Sequence, residues 1–488
     1  MKTSYILLIV LAVVIVCIVI ANLIQKKHSL LRTYPLVGYL RYIAEKLGVF
    51  LRQFWFAPDR AELPFNRAQR TWIYEAAKGI DTICGFGSTR DLKVTGSIYF
   101  VDAPFPILET SVTKTRAVTI GPECPHPYEA SALINISGMS YGSLSENAII
   151  AMSHGAKLAG CWYNTGEGGL TEYHLSGGCD IVAQIGTAKY GYRNIDGTLS
   201  EERLKKAAAY EQVKMFEIKL SQGAKPGKGG VLPGVKVTPE IAEIRGIAPG
   251  EDSISPNRFP EIANSSELLD FVKRVRDITG KPTGFKTVLG DPDWLDDLCI
   301  EIHRRGIENA PDFITLDGAE GGTGAAPMSL MDYVGLPIRE SLPMLVDKLI
   351  EYNLRDRIKI IASGKLTEPS RVVWALCMGA DFINSARGFL FSLGCIQAMQ
   401  CHLNTCPTGI TTHNPWLMRG LNPTNKAQRV YNYFKHLEEE VGEICHSCGV
   451  DEPRELRREH ARIVTEHGRS VSLAKVYPYA TVDPKWVS

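Results

Sequence analysis

Short apolar runs alternate with amphipathic stretches of helical length from about residue 130 onward. Runs rich in β-branched and aromatic residues predict strands, and the stretches with a period near 3.6 residues predict helices. The predicted strands cover residues 132–137, 160–165, 180–186, 214–220, 283–289, 312–318, 358–364 and 380–386. The predicted helices cover residues 145–159, 200–213, 265–279, 296–306, 343–354 and 369–379.

This alternation predicts an α/β fold with a parallel sheet, and eight strands that close on themselves form a (β/α)8 TIM barrel. An open, doubly wound sheet remains the alternative, because periodicity does not separate the two. Glycines and unusual polar residues cluster directly after the strands, in MSYGS, TGEGG, QGAKPGKGG, DGAEGGTGAAP, SGK and ARG. Barrel enzymes build their sites from the loops at that end of the strands, so this clustering favours the barrel.

The amino-terminal segment 5–24 is apolar, carries no charge and is long enough to cross a bilayer. A cleaved signal peptide is the alternative, but its apolar region is usually shorter and a small-residue cleavage site follows it. Here Gln25-Lys26-Lys27-His28 follows instead. Three basic residues, Lys26, Lys27 and Arg32, follow the segment, whereas only Lys2 and the amino terminus precede it. The positive-inside bias therefore predicts a single-pass membrane protein with a cytoplasmic catalytic domain.

The expected domain organisation follows from these patterns. We expect a membrane anchor over residues 1–28, a helical extension packing on the barrel over 29–130, the barrel over 131–450, and a C-terminal helix and tail over 451–488. The formal net charge of the chain is only +1, which argues against nucleic acid as a partner.

Three cysteines, Cys395, Cys401 and Cys406, have the spacing C-x5-C-x4-C, and a proline follows the last. In a reducing cytoplasm such a group indicates a metal site rather than disulfides. Three thiolates on one short segment can each bind a different iron of an iron–sulfur cluster. Zinc would need a fourth ligand, for which His402 is a candidate, although the spacing is not that of a zinc finger. Buried structural cysteines are the third interpretation.

Glycines and cations follow the last predicted strands, where barrels commonly bind a phosphate. These residues are Gly364 and Lys365 after the seventh strand and Arg387 and Gly388 after the eighth, with Asp317, Gly318, Gly322 and Gly324 after the sixth. One glycine after a strand is usually only a turn, but three consecutive loops of this kind favour a phosphate-bearing cofactor. The motif G-x-G-x-x-G after a first strand would indicate a nicotinamide-binding Rossmann domain, and the sequence does not contain it there.

Charged residues near the same strand ends are candidates for chemistry. Lys286 lies within a predicted strand, where a buried lysine is costly unless it is paired. It could be a cation beside the electron-rich pyrimidine edge of a flavin, or a lysine on the outer face of the barrel or at a strand end. Lys219 and Lys225 could clamp a dicarboxylate or keto acid, and Glu167 could exchange protons with a substrate nitrogen. Each of these alone would be read as a surface charge.

Over roughly residues 85–445 the chain resembles the FMN-binding central domain of glutamate synthases. The resemblance rests on MSYGSLS, NTGEGG, KLSQGAKPGKGG, ISPNR, DGAEGGTGAAP, LRDRIKIIASGKL and GCIQAMQCHLNTCPTGI, in this order. The resemblance implies a (β/α)8 barrel with FMN and a 3Fe–4S cluster, in which the reduced flavin delivers a hydride to 2-iminoglutarate made from 2-oxoglutarate and ammonia.

The resemblance also implies roles for individual residues. Cys395, Cys401 and Cys406 become the cluster ligands. The substrate-pocket positions are Glu167, Lys219 and Lys225. The flavin-binding positions are Ser140, Gln184, Lys286 and the glycines and cations of the strand-end loops.

Departures from the family pattern shape what the resemblance implies. The chain shows no glutaminase domain and no C-terminal β-helix, so we expect nitrogen from ammonia or a separate amidotransferase subunit. We expect electrons from a ferredoxin-like or membrane donor. Val231 in GGVLPG replaces the family's usual glutamine, which weakens 2-oxoglutarate specificity.

The chain is therefore expected to be a short, membrane-anchored oxidoreductase acting on CH–NH2 donors and reducing an imino acid. The alternatives are a membrane-associated electron-transfer or accessory flavoprotein, and a flavin dehydrogenase of another 2-oxo or hydroxy acid.

Overall fold

The computed structural model describes residues 2–111 and 115–487, and the chain divides into two compact units, residues 1–70 and 71–488. The division falls after Arg70, inside the segment 29–130 that we expected to form one extension. The carboxyl-terminal part of that segment thus belongs to the same unit as the barrel strands.

The first unit begins with a long apolar helix, α1 (Lys2–Ile24), followed by α2 (Ser29–Thr33) and α3 (Gly38–Leu51). Residues Ser4–Ile24 of α1 are long and apolar enough to cross a membrane, a test that a signal sequence also passes. The end of α1 is tied to the start of α3, because Asn22 Nδ2 lies 2.8 Å from the Pro35 carbonyl oxygen and 3.1 Å from Tyr39 Oη.

The second unit contains the strands and most of the helices. The strands are β1 (Ile98–Phe100), β2 (Val118–Ile120), β3 (Tyr128–Ala130), β4 (Ile134–Ile136), β5 (Tyr163–Asn164), β6 (Ile181–Ile185), β7 (Val213–Lys219), β8 (Val231–Leu232), β9 (Ser253–Ile254), β10 (Thr283–Thr287), β11 (Phe313–Asp317), β12 (Lys359–Ser363), β13 (Phe382–Ser385), β14 (Ala461–Val464) and β15 (Ser470–Ser472). The remaining helices are α4 (Arg67–Lys78), α5 (Glu146–Ala159), α6 (Glu172–Leu175), α7 (Glu201–Ala208), α8 (Pro239–Arg245), α9 (Ser265–Thr279), α10 (Asp293–Arg305), α11 (Met328–Tyr333), α12 (Ile338–Glu351), α13 (Pro369–Cys377), α14 (Arg387–Ser392), α15 (Pro415–Met418), α16 (Pro423–Ser447) and α17 (Leu473–Val476).

Eight parallel strands close into a barrel in the order β4, β5, β6, β7, β10, β11, β12 and β13, with β13 pairing back to β4. These are the eight strands predicted from the sequence, and the predicted helices correspond to α5, α7, α9, α10, α12 and α13. The (β/α)8 barrel is therefore confirmed, and the open sheet is excluded. Between β7 and α9 a long segment carries β8, α8 and β9 at the carboxyl ends of the strands.

The antiparallel hairpin of β2 and β3 packs at the amino-terminal end of the barrel. Its residues Ile120 and Tyr128 belong to one buried apolar cluster with residues near the starts of the barrel strands, among them Trp162, Met215 and Phe382. Apolar burial of this kind stabilises the fold and fills this end of the barrel. The polar residues predicted to form a site lie at the opposite end, where the barrel strands finish.

Residues 451–488 differ from the expected helix and tail. They form β14 and β15, which pair with each other and with β1, and the four-residue helix α17. The hairpin turns at Gly468, whose φ of +68° suits a glycine. Because β14 pairs with β1 from a distant part of the chain, local periodicity does not show that this segment forms strands.

Asp312, directly before β11, anchors the amino-terminal side of the barrel. Its buried carboxylate accepts hydrogen bonds from Arg276 Nε at 2.9 Å, from Arg357 Nη2 at 2.9 Å and from the Thr283 amide at 2.8 Å. Removing one partner of a buried ionic network leaves the remaining charges uncompensated.

We expect Asp312→Ala to lower the free energy of unfolding by about 3–5 kcal/mol, because two arginines lose a buried carboxylate. The control is Asp277→Ala, which removes an exposed ion pair with Lys273 and should cost less than about 1 kcal/mol. Urea unfolding followed by circular dichroism measures both. Equal midpoints for the two variants would contradict this role for Asp312.

Candidate active site at the carboxyl ends of the barrel strands

A carboxylate and two lysines meet where the barrel strands end. Glu167 lies in a 3-10 turn, Gly166–Gly168, directly after β5, and Lys219 is the last residue of β7. Glu167 Oε2 lies 3.1 Å from Lys219 Nζ, and both side chains are largely buried. Lys225, in the loop after β7, is buried and its Nζ lies 3.5 Å from the Ala325 carbonyl oxygen. The structure thus brings the three predicted substrate-pocket residues together.

The charges of this cluster set its protonation. Burial by itself raises the pKa of Glu167, but the positive charges of Lys219 and Lys225 lower it to about 2. Burial lowers the pKa of Lys225 to about 8, although Glu167 opposes that shift. Near neutral pH Glu167 is therefore a carboxylate that can accept hydrogen bonds. The pKa of Lys225 therefore lies closer to neutrality than that of Glu167.

Lys286 forms a second buried ion pair beside the first. Its Nζ lies 3.4 Å from Asp317 Oδ2, and Asp317 also accepts a hydrogen bond of 2.9 Å from the Gly223 amide. Lys286 is opposite Lys219 in the register of β10 and β7. Like charges on neighbouring strands repel each other, so each lysine needs its own carboxylate. The lysine is 7% exposed, and its ion pair with Asp317 compensates the burial of its charge.

Inside the barrel, Gln184 is held by a buried acid that the sequence analysis did not single out. Glu217 Oε1 accepts hydrogen bonds from Gln184 Nε2 at 2.6 Å and from Asn164 Nδ2 at 2.8 Å, and its Oε2 accepts one from Thr315 Oγ1 at 2.5 Å. Three donors compensate the burial of this carboxylate. An acidic residue in the middle of the apolar strand KMFEIKL was the available signal.

The strand-end loops with the predicted phosphate-binding residues lie against one another. A Cβ on Gly364, whose φ is +129°, would lie 3.0 Å from the Gly318 amide nitrogen, and a Cβ on Gly322 would lie 3.0 Å from Arg387 Nε. The positive φ of Gly364 favours glycine, and at Gly322 a side chain would have to push Arg387 aside. A Cβ on Gly388 would collide with the Tyr433 hydroxyl at 2.1 Å.

Three further predicted residues complete this group. Lys365 follows Gly364 with a φ of +52°, and a Cβ on Gly324 would meet nothing within 4 Å. Ser140 is buried after β4, and its Oγ lies 3.1 Å from Ser143 Oγ. All of these residues lie in the loops that follow β4, β11, β12 and β13, at the same end of the barrel as Glu167 and Lys219.

Arg387 connects these loops to the cysteine segment. Its Nη2 donates a hydrogen bond of 2.8 Å to the Thr323 carbonyl, and its Nη1 lies 3.9 Å from Cys401 Sγ. Burial acts to lower the pKa of Arg387, but the three nearby thiols, that of Cys401 most strongly, raise it above its usual value. One buried cation is therefore shared by the three predicted cluster cysteines.

The backbone of the cysteine segment is strained at Gln397, Met399 and Asn404, whose φ angles are +54°, +54° and +60°. Such conformations are uncommon for residues other than glycine and occur most often at functional sites. Within residues 2–111 and 115–487, no three His, Cys, Asp or Glu side chains are grouped to hold a metal ion.

Residues 106–451 match the family described as the conserved region in glutamate synthase. This match covers more than half of the chain. The chain belongs to the glutamate synthase family. As a member of this family it is a glutamate synthase-like oxidoreductase.

Curated relatives of this glutamate synthase-like enzyme cover most of its length. It is 41% identical to the glutamate synthase large subunit-like protein YerD of Bacillus subtilis, over 92% of each chain. It is 32% identical to an archaeal-type glutamate synthase [NADPH] of Thermotoga maritima, over 76% of this chain and 70% of the relative. A glutamate synthase large subunit-like protein of Rhizobium meliloti is 28% identical over 83% of this chain and 92% of its own.

Solved structures also resemble this member of the family. A mutant flavocytochrome b2 with pyruvate bound has 15% identity and a TM-score of 0.48, over 91% of this chain and 92% of that one. A mandelate oxidase with benzoyl-formic acid has 16% identity and a TM-score of 0.45, over 81% and 98% of the two chains.

Two buried cations near the site of this glutamate synthase-like enzyme escaped the sequence analysis. Arg245, at the end of α8, lies close enough to Glu167 to lower that residue's pKa, and its Nη2 donates to the Tyr141 carbonyl at 3.2 Å. Lys236 Nζ lies 2.6 Å from the Ser143 carbonyl oxygen and 3.3 Å from that of Cys401. Both follow the glycine-rich KPGKGG loop, where sequence gives no sign that a lysine or arginine is buried.

Two glycines make room for the Glu167 carboxylate. A Cβ on Gly230 would lie 2.2 Å from Glu167 Oε1, and a Cβ on Gly186 would lie 2.6 Å from Glu167 Cβ. We expect Gly230→Ala to displace the carboxylate from Lys219 and to lower kcat/KM by about 10²-fold, as misplacement of a site group by an ångström does. Steady-state kinetics measure this.

The matched control is Gly290→Ala, after β10, where a Cβ meets nothing within 4 Å. It should keep the activity of the unaltered protein. If Gly230→Ala behaves like this control, the position of Glu167 does not govern the reaction.

Proposed function

We propose that this protein binds FMN and a 3Fe–4S cluster and reduces an imino acid resembling 2-iminoglutarate to an amino acid. The observation that carries the proposal is the buried row of alternating charges formed by Glu167, Lys219, Lys286 and Asp317, with Lys225 beside it. Such a row at the carboxyl ends of barrel strands suits a substrate that carries both carboxylate and nitrogen groups.

The substrate roles follow from charge and protonation. Lys219 and Arg245 supply positive charge for the carboxylates of a 2-oxo or imino acid. Glu167, as a carboxylate, accepts hydrogen bonds from the substrate nitrogen and stabilises its protonated form. Lys225, with a pKa of about 8, donates or accepts the proton that the conversion of imine to amine requires.

The residues present fit FMN. Lys286 is a buried cation suited to the electron-rich edge of the flavin ring, and Gln184 offers an amide whose orientation Glu217 holds. Gly318 and Gly364 let neighbouring strand-end loops approach each other closely, and Lys365 in one of these loops adds charge for a phosphate. When bound, FMN supplies the reducing equivalents, while the chain's own residues bind, orient and protonate the substrate.

The residues also fit an iron–sulfur cluster. Cys395, Cys401 and Cys406 offer three thiolates, and buried Arg387 and Lys236 supply positive charge that offsets the negative charge of a thiolate-bound cluster. The proposed role of the cluster is to accept electrons from a ferredoxin-like or membrane donor.

The remaining parts of the proposal concern partners and location. We propose that α1 anchors the chain in a membrane as a single-pass span, with the catalytic unit in the cytoplasm. We propose that nitrogen comes from ammonia or a separate amidotransferase subunit. The names of several relatives include NADPH, so NADPH belongs beside reduced ferredoxin among the donors to be tested.

The cofactor part is tested on anaerobically purified protein. We expect a flavin absorption spectrum, FMN released on denaturation, and iron with acid-labile sulfide. Colourless, iron-free protein would overturn this part of the proposal.

The reaction is tested by stopped-flow reoxidation of the reduced protein. We expect 2-oxoglutarate or a related keto acid to reoxidise it rapidly only when ammonia is present. Reoxidation without ammonia would instead support a dehydrogenase of 2-oxo or hydroxy acids. The absence of reoxidation by any keto acid would support an electron-transfer protein.

A further inference from the structure

An amphipathic helix follows the apolar helix α1. In α3 the apolar residues Leu40, Ile43 and Leu47 recur at the three- and four-residue spacings that place side chains on one side of a helix. The charged residues Arg41 and Glu45 lie on a different side and pair at 2.8 Å. The segment thus has an apolar face and a charged face.

This apolar face is uncovered. Leu40, Ile43 and Leu47 are between 52% and 64% exposed, and the turn after α3, Arg52–Phe56, adds Trp55 at 74% exposed. Exposed apolar clusters of this kind mark surfaces that bind a membrane or a partner.

Three observations indicate that the exposed apolar face of α3 binds a lipid surface. The first is position, because Asn22 near the end of α1 bonds to Tyr39 in the first turn of α3, and the rings of His28 and Tyr42 lie 5.8 Å apart. The start of α3 is therefore held at the end of the segment that is apolar enough to cross a bilayer. A helix in that place lies at the level of the lipid headgroups.

The second observation is charge. Between residues 25 and 57 the chain has one acidic residue, Glu45, and six basic ones, Lys26, Lys27, Arg32, Arg41, Lys46 and Arg52. The whole chain has a net charge of only +1, so positive charge is concentrated here. Clusters of lysine and arginine beside a membrane span are attracted to anionic headgroups.

The third observation is the aromatic content. Tyr34, Tyr39, Phe54, Trp55 and Phe56 are all exposed. Tryptophan and tyrosine are enriched where protein crosses between hydrocarbon and water, because their rings are apolar and carry a polar group. Apolar face, basic charge and aromatic residues together characterise helices that lie in the membrane interface.

We propose that α3 and the turn Arg52–Phe56 lie in the interface of an anionic membrane, with Leu40, Ile43, Leu47 and Trp55 inserted among the acyl chains. This inference rests on the proposed membrane span of α1 and goes beyond the proposed reaction. It gives the protein two membrane contacts, one that crosses the bilayer and one that lies along its surface.

The test uses the full chain reconstituted in vesicles of phosphatidylcholine and phosphatidylglycerol. The emission of Trp55 is obtained by subtracting the spectrum of a Trp55→Phe variant. With brominated phosphatidylcholine, Trp55 should lose roughly half of its emission or more, because bromine atoms in the acyl chains quench only an inserted ring. Aqueous iodide should leave it almost unchanged.

Two variants make the test specific. Replacing both Ile43 and Leu47 by Glu should abolish the quenching by brominated lipid, while Glu45→Gln on the charged side should leave it unchanged. Quenching by iodide alone would overturn the proposal, since Trp55 would then be in water. Protection from both quenchers would also overturn it, because another protein surface would then cover the face. Extraction with alkaline carbonate tests α1 separately, so failure of the span is distinguished from failure of the interface.

Discussion

Lys225→Ala is expected to lower kcat/KM for imino acid reduction by about 10²–10⁴-fold, the range typical for removal of a general acid. Lys225 is buried beside the Glu167–Lys219 pair, and burial lowers its pKa to about 8. Cofactor content should not change, because Lys225 contacts the Ala325 carbonyl and not the cysteine segment. Steady-state kinetics and the flavin spectrum measure the two quantities.

The pH dependence sharpens this prediction. Below a pH of about 8 Lys225 carries its proton, and above it the amine is neutral. If the protonated amine is the donor, kcat/KM should fall as pH rises through about 8. In Lys225→Arg this decrease of kcat/KM with rising pH should disappear, because the guanidinium stays protonated throughout this range.

The control for Lys225 is Lys228→Ala, which removes an exposed lysine from the same loop. Its activity should stay close to that of the unaltered protein. If Lys225→Ala keeps full turnover, Lys225 takes no part in the chemistry, and the interpretation as an electron-transfer protein gains support.

Cys401→Ala is expected to reduce iron and acid-labile sulfide to background. A cluster held by three cysteines cannot lose one thiolate without leaving an iron unligated. The thiol of Cys401 also lies 3.9 Å from Arg387 Nη1. Its loss therefore removes both a proposed cluster ligand and a partner of a buried cation.

Cys84→Ala is the matched control, because Cys84 is an exposed free cysteine outside the cysteine segment. It should retain the iron content of the unaltered protein, measured by colorimetric iron and sulfide assays and by electron paramagnetic resonance. If Cys401→Ala retains the same iron as the control, the three cysteines do not hold the cluster.

Much of the fold could be predicted because its signals are local. Each barrel strand is a short apolar run bounded by turn residues, and each predicted helix has its own apolar stripe, so periodicity alone located them. The C-terminal segment 451–488 was harder, because β14 pairs with β1 from a distant part of the chain. No local pattern reveals a partner so far away in sequence.

The candidate residues could be chosen from sequence because chemistry-bearing residues after strands share one end of a barrel. Their roles were less accessible. Glu167 was expected to exchange protons, and the sequence shows no sign that two neighbouring lysines hold its pKa near 2 while burial lowers that of Lys225 to about 8. A pKa depends on burial and on charges brought close by folding, and neither is visible along the chain.

By itself, the sequence of this protein determined the class of fold, the family and the three cysteines on one short segment, because these depend on local periodicity, motif order and spacing. Only the tertiary structure decided that Lys219 and Lys286 stand side by side with separate carboxylates. It also decided that Glu217 orients Gln184 and that Arg387 joins a strand-end loop to the cysteines. These contacts join residues far apart in the chain, and strand register and burial determine which of them meet.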